Sequence, residues 1–374
     1  MAVLAVLAYH SGTSLKGGFI GVDIFFVLSG FLITTLLFQE WSRTQAIALR
    51  NFYGRRARRL LPALFLTIAG VGVIYAIDPS LNGGISFWKA ALVVIFYAGN
   101  WVAAFANNPV QVLALLDHTW SLAIEEQFYI LWPLLLLVCL RRRWQPRSVL
   151  ALTLSLACAS ALLRWLLWQQ GSTSHVYFRS DSRADGLLLG CALAAAYASR
   201  RGRALILRYL GKWPVALGAG AVLLVVAFTY GPNDRFVYVG GLSVVAVCSA
   251  VIIGHVVCAQ RSWVTRTLAL SPLVWVGSRS YGMYLFHIPI FTVIAASRLG
   301  DQSARLVTPL QIALTMLVAA ASYRWVESYF LRRNRLRGAP PHVQRAPVDR
   351  DTAPESSRNE VLVPNRGAAQ EPPD

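Results

Sequence analysis

Apolar residues in this chain come in long, nearly unbroken blocks rather than in alternation. Such blocks lie near 1–9, 19–38, 60–77, 85–106, 122–140, 148–168, 184–198, 214–230, 236–258, 280–296 and 306–326. Most approach the roughly 20 residues that a helix needs to cross the hydrocarbon layer. In lipid only helices and closed barrels satisfy their own backbone, and these blocks are too long and too continuous for barrel strands. The pattern predicts an all-α fold, a polytopic membrane helix bundle.

Composition agrees. Of 374 residues, 56% are hydrophobic and 14% charged, with a mean hydropathy of +0.51. Soluble domains carry about 25% charged residues. A soluble enzyme, a disordered chain and a disulfide scaffold are therefore excluded as readings. The five cysteines sit in or beside apolar blocks with no CxxC pair or metal-ligand spacing, as small buried hydrophobes do. No metal site is expected.

The formal net charge is +18, and its distribution carries more than its size. Residues 1–337 hold 31 basic and 11 acidic groups, while 338–374 hold 4 basic and 6 acidic. The basic residues cluster between apolar blocks, at 39–60, 141–147, 199–213, 261–279 and 332–337. That placement suits cytoplasmic membrane loops and argues against nucleic-acid binding. Three apolar blocks separate the first two clusters, yet an even number of crossings is required. The block at 85–106, punctuated by Lys89 and Asn100 and followed by Asn107 and Asn108, is expected to be re-entrant or interfacial. About ten crossings then remain, with both termini cytoplasmic. The first block spans about half the hydrocarbon, so its helix is expected to be truncated at its N-terminus. The domain is expected to cover 1–337, and the Pro-rich polar stretch 338–374 to be a disordered cytoplasmic tail.

Ionisable groups in or beside a spanning segment are costly and mark functional positions. His10 falls near the outer end of the first helix, where an imidazole can take a proton from a hydroxyl or be acylated itself. Ser121, a candidate N-cap, opens a helix carrying Glu125 and Glu126. These point about 100° apart, so at least one should face the bundle. Topology puts Glu125 on the same side as His10, where a carboxylate would orient the ring. Glu126 is a candidate substrate contact, as are Arg183 and Asp185 at another outer helix entrance and the mid-membrane His287. For His287, a structural hydrogen bond to the carbonyl freed by Pro289 is the competing role. Arg55, Arg56 and Arg59 open a helix on the cytoplasmic side. They suit lipid headgroups, or the phosphates of coenzyme A, which arginine can grip bidentately.

Several stretches together resemble the acyltransferase-3 family of integral membrane O-acyltransferases. They are Tyr9-His10, Gly18 to Phe31, Phe52 to Pro62, Trp120 to Tyr129, Arg183-Ala184-Asp185, and Ser280 to His287, in the family's order over about 1–330. The resemblance implies transfer of an acyl group, commonly acetyl, from acyl-CoA to a hydroxyl of a carbohydrate-containing acceptor. That acceptor would be a surface polysaccharide, glycolipid or glycosylated metabolite, and the enzyme would sit in a bacterial plasma membrane. It makes His10 the catalytic histidine and Arg55, Arg56 and Arg59 the cytoplasmic arginine motif. The family's arginine eleven positions before that histidine would fall just ahead of Met1. No permanently bound cofactor is implied. The rival class is a transporter or flippase for a polar lipid, which would also need intramembrane His, Glu and Arg.

Overall fold

In the computed structural model, the structure describes residues 1–13, 15–106, 112–171, 173–295 and 304–331. Among these every regular element is helical. Six helical stretches are long and apolar enough to cross a membrane, or seven if one bent pair counts as a single span. The shortfall from ten has local causes. Helix α1 (Ala2–His10) has nine residues and α11 (Trp213–Thr229) seventeen. Helix α9 (Ser180–Ala198) carries Asp181, Arg183 and Asp185 in its first two turns, and α14 (Ser271–Val293) carries Arg279 and His287. Outward-facing positions are apolar, including Val73, Leu131, Leu162, Val225 and Phe228, as a lipid solvent requires. The basic run at 332–337, the stretch 338–374, and Asn107 and Asn108 lie outside the described residues.

The block at 85–106 breaks as parity required. It forms α4 (Phe87–Ile95) and α5 (Gly99–Phe105), with Tyr97 between them at a φ of 53°. Neither piece is long enough to span.

Helix α2 (Gly21–Thr44) lies at the centre, packed along α9, which in turn packs on α7 (Pro146–Gln169). Matching contacts fix the direction of α2 against α9. Asp23 meets Arg183 and the Phe31 ring meets Tyr197, so the two helices run parallel. The C-terminal end of α9 therefore lies at the same end of the bundle as the start of α3 (Leu49–Ile77), which carries the arginines. The remaining parts of the site come from α6 (Trp120–Arg141), α14 and the short helical stretch Ala114–Thr119. Helix α15 (Ala304–Ser322) packs against α14.

Candidate active site

Three histidines from distant parts of the chain meet inside the bundle. The His10 and His287 rings lie 4.9 Å apart, and those of His287 and His118 lie 5.1 Å apart. Their partners fix the tautomers, because a carbonyl only accepts. His287 Nδ1 donates to Tyr284 O at 2.5 Å, so its Nε2 is an acceptor. His10 Nδ1 donates to Val6 O at 3.0 Å and shares that proton with His287 Nε2 at 3.3 Å. Among the described residues His10 Nε2 has no hydrogen-bond partner, and the residue is exposed. A neutral imidazole held by its Nδ1–H with Nε2 open is the form a general base needs.

His118 takes the structural role that competed for His287. Pro289 leaves Leu285 O without its helical donor, and His118 Nε2 donates to it at 3.0 Å. The buried Nδ1 of His118 has no hydrogen-bond partner. Among the described residues no group of histidine, cysteine or acidic side chains is arranged to hold a metal ion.

Toward the arginine end, a cavity of about 450 Å³ runs between α2, α3, α6 and α14. Arg56 and Arg59 line it, as do Glu125, Ser121, Tyr281 and Tyr284, and its walls are otherwise mostly apolar. Ser121 lies inside α6 rather than capping it, and its hydroxyl is 2.6 Å from that of Tyr284. The Tyr284 hydroxyl donates to His118 O at 2.8 Å. Its ring lies 5.4 Å from that of His287, linking the cavity to the histidine cluster.

Glu125 belongs to the cavity and forms no hydrogen bond with His10. Its two oxygens accept from Ser29 Oγ and Tyr129 OH, each at 3.1 Å. The group beside His10 is another imidazole. The Arg56 guanidinium stacks 3.4 Å from the centre of the Tyr129 ring and lies 3.5 Å from Glu126 Oε1. Glu126 thus faces an arginine of its own chain. Arg55 points outward, half exposed, 3.7 Å from Glu40, a pairing worth little in that setting.

Arg183 and Asp185 do not form the open acceptor site expected at the entrance of α9. Arg183 is buried against Asp23 at 3.0 Å, and Asp185 takes both prongs of Arg164 at 2.7 Å. Each joins two helices, because a charge in a bundle interior must be neutralised there. The local cap pair is instead Arg179 with Asp181, at 2.6 Å. Two side chains of the candidate site escaped the sequence reading, His118 and Tyr284. His118 had the signal that marked His10, an ionisable ring beside an apolar block. Tyr284 stands one helical turn before His287.

Fold and site together define a polytopic all-helical protein in which a cavity with arginines at one end leads toward an accessible histidine. The chain belongs to the acyltransferase family, whose "Acyltransferase domain" matches residues 1–324. It is 38% identical to the peptidoglycan O-acetyltransferase OatA of Listeria monocytogenes, across 88% of this chain and 54% of that protein. It is 36% identical to the O-acetyltransferase OatA of Staphylococcus aureus strain NCTC 8325, across 87% and 55%. Against the putative peptidoglycan O-acetyltransferase YrhL of Bacillus subtilis it is 33% identical, across 87% and 52%. The chain thus spans about half the length of these relatives. No solved structure matches it.

Proposed function

We propose that this chain is a membrane O-acetyltransferase that carries acetyl groups from cytoplasmic acetyl-CoA to a hydroxyl of a cell-envelope polysaccharide. The peptidoglycan O-acetyltransferases among its relatives favour peptidoglycan as that polysaccharide. The observation that carries the reading is His10, a neutral imidazole fixed through Nδ1 on an exposed residue. The cavity supplies the donor side. The phosphates of acyl-CoA bind at Arg56 and Arg59, with Arg55 at the rim, and the apolar walls accept the pantetheine arm up to Ser121 and Tyr284.

In the reaction, His10 Nε2 takes the proton of the acceptor hydroxyl. The oxygen attacks the thioester carbonyl, a C–O bond forms, the C–S bond breaks and the coenzyme leaves as a thiolate that is then protonated. General-base assistance of this kind contributes about 10²–10⁴-fold. The protein with His10→Gln should therefore release thiol from acetyl-CoA, in the presence of a polysaccharide acceptor, at least about 100-fold more slowly than wild type. Thiol release at the wild-type rate by a correctly inserted H10Q protein would remove His10 from the chemistry.

A further inference from the structure

A second concavity, of about 900 Å³, opens far from the histidines. Its walls are the elbow between α10 (Arg200–Leu210) and α11, and the turn joining α12 (Leu242–Cys258) to α13 (Trp263–Leu268). The helices of the elbow meet at 72°. Because α9 runs parallel to α2, this groove lies at the arginine end of the bundle.

One buried side chain ties its two walls. His255 Nδ1 donates to Leu210 O at 2.8 Å, and Nε2 accepts from Ser262 Oγ at 2.9 Å. The groove is thus a braced feature rather than a gap between loose loops. Lys212 and Arg261 line it, both exposed and with no ion pair among the described residues. The sequence places no Asp or Glu between Asp185 and Asp234, or between Asp234 and Asp301. The basic surface of these loops therefore has no local acid to neutralise it. Trp213 and Trp263 stand in the same groove, half exposed, with ring centres 6.0 Å apart. Below the elbow, α11 presents Leu217, Leu224, Val225 and Phe228 outward.

A groove with cations, two indoles and an apolar helix falling away beneath it matches one class of ligand. We infer that it holds the headgroup of an anionic phospholipid, with its phosphate between Lys212 and Arg261 and its chains along α11. Tryptophan favours this boundary depth, and basic side chains there attract anionic lipid. A soluble polyanion would leave the indoles and the apolar wall unused. Lipid bound there is separate from the acyl-transfer chemistry.

The test uses the full chain in phosphatidylcholine nanodiscs doped with phosphatidylglycerol, with retained lipid counted by native mass spectrometry. The wild type should keep phosphatidylglycerol in preference to phosphatidylcholine. The K212Q/R261Q protein should bind it roughly 10- to 30-fold more weakly, the worth of two basic side chains at such a layer. An R142Q/R143Q protein, altered in the loop after α6, should match wild type. Three results overturn the inference: equal retention of both lipids, an unaffected K212Q/R261Q protein, or an R142Q/R143Q protein weakened as much. Displacement of the lipid by excess inorganic phosphate alone would also overturn it, leaving a site for free phosphate.

Discussion

At the scale of single residues, buried charges hold the bundle together around the site. Arg183 is 1% exposed, and its guanidinium is enclosed by Phe26, Trp120 and Tyr177 at 5.7, 5.7 and 4.8 Å. Asp23 supplies its only opposite charge in direct contact among the described residues. Removing one member of such a pair costs about 3–5 kcal/mol, because the other charge stays buried and unpaired. Asp23→Asn should therefore lower the thermal midpoint of the detergent-solubilised protein sharply. Adding Arg183→Gln to it should restore much of the loss, as expected of partners coupled in a cycle. A D23N protein that melts with the wild type would show that the pair contributes nothing to the fold. His10 and His287 were both visible as ionisable groups in apolar surroundings. Their contact was not, because it joins positions far apart in the chain and depends on how α1 meets α14. Likewise the partners of Arg183 and Asp185, which are Asp23 and Arg164, follow from tertiary packing. No rule of local spacing finds them.

At the scale of helices, the contact of α2 with α9 depends on side chains being absent. A Cβ on Gly30 would run into Leu187 O, and one on Gly190 into Val27 O. Gly186, four residues before Gly190, sits against Phe26 on the same face. Small residues spaced this way let two membrane helices approach closely, and here they bring Asp23 within reach of Arg183. Gly190→Val should separate the two helices and lower the thermal midpoint by several degrees. Gly70→Ala, on α3 with no atom within 4 Å of the added carbon, should leave it unchanged or slightly raised. Equal midpoints for G190V and G70A would refute the close-packing account. The apolar blocks made most helices legible from sequence, since a lipid-facing helix advertises itself by length and hydropathy. The interrupted block at 85–106 was legible through charge parity together with the polar residues that punctuate it, Lys89 and Asn100. Short stretches such as Ala114–Thr119, six residues long, were missed, because a helix that short carries little periodicity to read.

At the scale of the whole molecule, the distribution of arginine predicts which ends of the bundle face the cytoplasm. In a protein whose five cysteines are replaced by serine, Asn233→Cys should react with a membrane-impermeant maleimide added to intact cells. Arg142→Cys should react only after lysis. The opposite pattern would invert the orientation on which the donor and acceptor sides were assigned. The contact between His10 and His287 also bears on electrical balance. In the reaction proposed above, moving an acetyl group outward from a thioester and leaving the hydroxyl proton outside would export one positive charge per turnover. Against an inside-negative potential that opposes the reaction by about 2.3 kcal/mol per 100 mV. A proton accepted at His10 Nε2 allows the one on Nδ1 to pass to His287 Nε2, 3.3 Å away and deeper in the bundle. In that reaction the paired rings would provide a first step of inward proton countercurrent, by which a charge-neutral exchange spares the cell its membrane voltage.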